Sequence, residues 1–163
     1  MNRNVASLVT PPRVVQPEMR VLDPAEARHL CAVAAEDAAH GVLPILAVTT
    51  GMREGEMLAL RWRDVDLERG SLAVTGTLQR VRGVGLVRGE PKTARSRRQV
   101  RLTPTAIAAL KPQQGTQAAA RLVAGDRWGN GDWVFAGRAG AALNADKVRV
   151  DWHRLCPQAG LPE

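Results

Sequence analysis

Apolar and polar positions keep a helical period through the first third of the chain, change to a strand period in the middle, and return to a helical one. Leu30, Ala34 and Ala38 recur at helical spacing up to Gly41. Asp23-Pro24-Ala25-Glu26 opens that helix: Asp23 caps free N–H groups, Pro24 suits the first turn and Glu26 sits where a capping box closes. A second helix is predicted from Leu43 to Thr49, with Pro44 tolerated near its start and Gly51 ending it. A third, short one carries Glu54 to Trp62. After the turn-forming run from Asp66 to Gly70 the period becomes two. Leu72, Val74 and Leu78 alternate with Ser71, Ala73, Thr75 and Thr77, which predicts a strand with one buried face. Glycines 83, 85 and 89 interrupt the next stretch, from which a second strand emerges near Leu86. Val100 and Leu102 alternate with Gln99 and Arg101 in a third, giving a small antiparallel sheet joined through a tight turn after Lys92.

Thr103-Pro104 restarts helix, with Ile107, Ala108 and Leu110 as its apolar side. Pro112 and Gly115 predict a break or kink, since a proline inside a helix costs about 3 kcal/mol. Trp133-Val134-Phe135 reads as a short strand or extended segment. Asn144 caps a last helix with Val148, Trp152 and Leu155 on its inner face. Residues 1–20, with Pro11, Pro12 and Pro17 and no sustained period, read as a tail or linker.

Charge adds a location to this outline. Between Arg80 and Arg101 lie eight Lys or Arg residues and one acid, so that window carries the whole chain's net +7. A basic stripe on an otherwise balanced body points to a polyanion, nucleic acid first; the plain alternative is a solvated hairpin that keeps the protein soluble. The chain has four Trp, one Phe and no Tyr, too few aromatic platforms for a binder that stacks single-stranded bases. A duplex held by its phosphates fits better. Cys31 and Cys156 show no pairing signature, which suggests a reducing, cytoplasmic setting. His29 and Cys31 lack a second pair at zinc-site spacing and read as ordinary helix residues. No apolar run is long enough to span a membrane.

Two segments carry candidate chemistry. A guanidinium at Arg53, just ahead of a helix, can fork onto two phosphate oxygens and stays charged throughout a reaction. Taken alone, Arg53 reads sooner as a surface arginine paired with Glu56 three residues along, and it is the resemblance below that reverses this. The run from Thr50 to Gly70 (TGMREGEMLALRWRDVDLERG), the strands after it and the segment from Pro91 to Leu102 (PKTARSRRQVRL) resemble the catalytic domain of phage-type integrases, the tyrosine recombinase family. Residues 3–15 resemble the end of that family's preceding DNA-clasping domain. The resemblance implies an α+β, mainly α fold with a small three-stranded antiparallel sheet. It divides the chain into residues 1–20, the end of the core-binding domain and linker, and 21–163, a partial catalytic domain.

By the same resemblance Arg53 matches the first catalytic arginine and Glu56 the acid that supports it. Lys92 matches the hairpin lysine, either as general acid to the departing 5′ oxygen or as one more phosphate contact. Arg80, Arg82, Arg95, Arg97, Arg98 and Arg101 become phosphate-positioning residues, with double-stranded DNA as partner. Recombinase protomers are a further partner; no metal, ATP or other cofactor and no small-molecule substrate is implied. The family's second box, His-x-x-Arg followed by a His or Trp and the nucleophilic tyrosine, has no counterpart. His153-Arg154 has the wrong spacing, and a phosphotyrosine cannot form without a phenol. The expectation is the DNA-binding part of a site-specific recombinase, truncated and inactive alone, with apolar surface uncovered where the final helices would pack. Two alternatives stand beside it: a non-enzymatic DNA-binding competitor, and a module that docks onto an intact recombinase.

Overall fold

A computed structural model describes residues 20–37, 40–90 and 97–162. The tail before Arg20, Ala38, the turn after Lys92, and Lys92 and Arg95 themselves lie outside the described residues. Helix α1 (Pro24–Glu36) begins as its sequence dictates: the Asp23 carboxylate accepts from the N–H groups of Ala25 and Glu26, and Glu26 returns the bond to the Asp23 N–H. Helix α2 (Val42–Thr50) is apolar on nearly every side and ends at Gly51. Pro44 falls in its first turn, where an N–H has no intrahelical partner anyway. Thr49 and Thr50 donate their hydroxyls to Ile45 and Leu46 carbonyls, which removes their polarity from the buried end.

Helix α3 is shorter than its periodicity suggests, Glu54–Leu58. Arg61 leaves it for an extended bridge to Trp133, with Trp62 donating to the Asp132 carbonyl and Val134 to that of Leu60. The Trp133 segment is thus extended, and long-range pairing overrides the helix from Leu60 onward. Trp62–Asp64 forms a single 3-10 turn.

The expected small three-stranded antiparallel sheet is present, but among the described residues there are five strands and its members differ from those expected. β1 (Val65–Asp66), β2 (Ser71–Val74) and β5 (Arg98–Arg101) form a three-stranded antiparallel sheet in the order β1-β2-β5. β3 (Thr77–Val81) and β4 (Gly85–Gly89) form a separate antiparallel hairpin. The stretch from Ser71 to Leu78, expected to be one strand, is therefore two, and the strand near Leu86 pairs away from the sheet. The cause sits at the junction. Thr75 donates its hydroxyl to Asp64 at 3.1 Å and accepts from Arg88 Nη2 at 2.6 Å, while Arg88 Nε reaches the Ala59 carbonyl at 3.3 Å. A Cβ on Gly76 would stand 2.6 Å from the Arg88 Cζ, so only glycine lets this guanidinium fold back against the bend.

Helix α4 (Pro104–Ala124) starts on a Thr103 cap and continues through Pro112 and Gly115 without the break that these residues could impose. The carbonyl that Pro112 leaves unpaired belongs to Ala108; both residues are exposed, so water can serve it. Beyond the proline, Gln113 and Gln117, one turn apart, both donate to the Val134 carbonyl, at 2.6 and 2.7 Å. Gln117 also accepts from the Trp62 indole at 2.7 Å. These bonds hold the helix where propensity alone would break it. Its buried side is Ala106 and Leu110, with Ile107 half-buried and Ala108 exposed, a rotation from the expected face.

Helix α5 (Ala145–Gln158) is capped by Asn144 and buries Asp151, Leu155 and Cys156, with Val148 and Trp152 half-buried beside them. The main core joins α2, α3, β2, α4 and the Val134-Phe135 segment. Leu155 meets Ala34 and Ile45 where α1, α2 and α5 converge, and Leu30 packs with Cys156, Ala159 and Leu161. At the same corner Asp37 pairs with Arg154, and His40 lies 3.8 Å from Asp151, which Lys147 holds at 2.7 Å. Leu122 and Val123, near the end of α4, are largely exposed.

Candidate nucleic-acid interface

Arg53 occupies the N-cap of α3 and is 80% exposed. Its helix is seated on the hairpin at Gly55, where a Cβ would come within 2.7 Å of Thr77 Oγ1 and 3.0 Å of the Leu78 carbonyl oxygen. That closeness fixes the approach of Arg53 to β3. Glu56 lies under it, with its side chain only 8% exposed.

The Glu56 carboxylate is shared by two arginines. Oε1 accepts from Arg53 Nη1 at 3.1 Å and Arg98 Nη1 at 3.0 Å; Oε2 accepts from the Arg53 backbone N–H at 3.0 Å and Arg98 Nη2 at 2.8 Å. The Arg98 fork, aided by both Arg53 donors, holds the carboxyl at about 2 against the opposing push of burial. Glu56 is therefore ionised across the neutral range, and the Arg98 guanidinium is raised in turn. The expected pair between Arg53 and Glu56 is present. Arg98 is placed differently from Arg101, the other arginine of its strand: it shares the inner face with Val100, while Gln99 and Arg101 point outward.

The remaining described basic residues of the window take no part in this cluster. Arg80 is exposed and meets Asp146 at 2.9 Å; Arg97 is exposed and meets Glu90 at 2.8 Å. Such exposed pairs exchange readily for a phosphate, because each is worth little in water. Arg82 and Arg101 are exposed and form no ion pair among the described residues. Lys92 and Arg95 lie outside the described residues. Two arginines with structural duties were not singled out from the sequence. Arg88 locks the hairpin to Ala59 and Thr75, and burial pushes its guanidinium below the ordinary value. Arg61 stacks on Trp133, 4.9 Å from the ring centroid, with its Nε buried and unbonded. Neither is visible in a period or a motif, because both partners come from distant segments.

Among the described residues no group of three or more His, Cys, Asp or Glu converges as a metal site would require. No helix there is long and apolar enough to cross a membrane. A cavity of about 360 Å³ between α2, α4 and α5 is lined by Leu43, Phe135, Trp152 and Lys147 among others, and by none of Arg53, Glu56 or Arg98.

The profile of the phage integrase family matches residues 20–163. An integrase of Saccharopolyspora erythraea is 24% identical over 214 residues, covering all of this chain and 49% of the relative. A tyrosine recombinase XerC-like protein of Caldanaerobacter subterraneus subsp. tengcongensis is 30% identical over 129 residues, covering 72% of this chain and 33% of the relative. The fold matches the Tn1549 transposon integrase, solved in complex with circular intermediate DNA, with a TM-score of 0.69 at 21% identity over 90% of this chain and 47% of that one. The chain thus spans half or less of the length of these relatives.

Proposed function

The chain belongs to the phage integrase family, and on that premise we propose that it is the DNA-gripping part of a site-specific tyrosine recombinase acting in DNA integration and recombination. The observation that carries this reading is the exposed Arg53 guanidinium, braced by an ionised Glu56, in a chain whose Arg80, Arg82, Arg97 and Arg101 are also exposed. A fixed fork amid loosely paired cations suits a phosphodiester: the fork positions one phosphate, and the others bind neighbouring phosphates without reading bases. Arg53 would neutralise charge developing on that phosphate in strand transfer. Lys92, six residues before Arg98, would serve the departing 5′ oxygen or a further phosphate. Residues 1–163 contain no tyrosine, so the phenol of a phosphotyrosine intermediate is not among the groups they supply. The proposed chemistry needs neither metal nor ATP.

The division at residue 20, a cytoplasmic setting and contact with other recombinase protomers belong to the same proposal. The exposed Leu122 and Val123 offer apolar surface for such a contact. Fluorescence anisotropy with a generic duplex of about 30 base pairs, titrated at several salt concentrations, tests the reading. A log–log slope of roughly −3 to −6 is expected for several phosphate contacts at about 0.9 each. Absence of binding at low salt would remove it.

A further inference from the structure

We infer that Arg98 is a positioning residue for Arg53, acting through Glu56, and not one of the phosphate contacts. This deepens the reading above and rests on Arg53 gripping a phosphate. The geometry is specific. Arg98 spends one donor on each Glu56 oxygen, and each of those oxygens also holds one donor of Arg53. An Arg–Glu pair three residues apart on a surface leaves its carboxylate free to rotate and orients little. The bidentate fork removes that freedom and fixes where the lone pairs facing Arg53 point.

Arg98 is itself fixed. It opens β5, paired opposite the buried Val74 of β2, and its side chain is 34% exposed against 60% for Arg97. The register of the main sheet is thereby transmitted to the orientation of Arg53 on a helix of only five residues. The strand latched in this way directly follows the basic segment that carries Lys92.

The test uses the full chain, the 30-base-pair duplex and the variants R98K, R53A and R53A/R98K. Lysine keeps the charge but cannot form the fork. R98K is expected to weaken binding about as much as R53A, roughly 3–10-fold, with the salt slope reduced by about 0.9 in both. In the R53A background R98K should change affinity by less than about 2-fold, since the two act as a unit. Wild-type affinity in R98K, or a loss that adds fully to that of R53A, would overturn the inference and return Arg98 to the phosphate contacts. A second readout does not need DNA. In ¹⁵N spectra at low temperature, Arg53 should show separate Nη–H signals that collapse to an average in R98K; signals unchanged in R98K overturn the inference as well. If wild type fails to bind the duplex, the function proposed above fails while these spectra still decide the role of Arg98. Should circular dichroism show R98K unfolded, R98Q takes its place, judged by the Arg53 spectra and by additivity with R53A, because glutamine can give Glu56 one donor but not the fork.

Discussion

Glu56 illustrates how one side chain carries both stability and function. Its carboxyl is held at about 2 in the folded protein against an ordinary 4.5, mainly by Arg98 and then by the Arg53 donors. A lowered folded-state value means that this stabilisation is complete above about 4.5 and is lost as the pH falls towards 2. The difference corresponds to about 3 kcal/mol. Urea unfolding between pH 6 and 2 should therefore show an acid-side loss of that order in wild type, and a much flatter profile in E56Q. Gly55 makes a second prediction. Gly55→Val forces methyl groups onto Thr77 and the Leu78 carbonyl, so a loss of about 1–3 kcal/mol in denaturant unfolding is expected. Weaker duplex binding should accompany it, as α3 and Arg53 are pushed off the hairpin.

Helix α4 shows an element stabilised against its own composition. Pro112 and Gly115 oppose helix, yet the bonds of Gln113 and Gln117 to the Val134 carbonyl anchor the second half to the body and the helix continues. Pro112→Ala restores an N–H to the exposed Ala108 carbonyl and is expected to stabilise the protein by about 1–3 kcal/mol. Thermal unfolding would show this as a raised midpoint. Gln117→Ala should act in the opposite direction, because it strips the Trp62 indole and one Val134 bond at once. The β3–β4 hairpin has a comparable dependence on Arg88, which alone among the described arginines joins Ala59 to Thr75.

Across the molecule the helices are tied at Leu155, fully buried where α1, α2 and α5 meet. Leu155→Ala should cost about 2–5 kcal/mol, and the loss should leave the Arg53–Glu56–Arg98 cluster, on the other core, intact in the native state. Duplex affinity measured well below the unfolding midpoint checks the second half of that statement. The body so assembled is electrically neutral apart from the strands between Arg80 and Arg101. The net attraction for a polyanion therefore comes from that window of the chain, to which the α3 N-cap adds Arg53.

Several features were legible in the order of residues alone, because their causes are local. The α1 capping box, the apolar α2 with its stop at Gly51, the caps at Thr103 and Asn144 and the basic window each depend on neighbours within one or two turns. The motif around Arg53 and Glu56 is equally local, and with the Pro91–Leu102 segment it sufficed to place the chain in its family. The early end of α3, the division of the strands between a sheet and a hairpin, the persistence of α4 and the pairing of Arg98 with Glu56 were not legible. Each rests on partners 11 or more residues away along the chain. Period and propensity describe what a segment prefers in isolation; a buried carboxylate or an exposed proline keeps its conformation through what the rest of the fold brings against it.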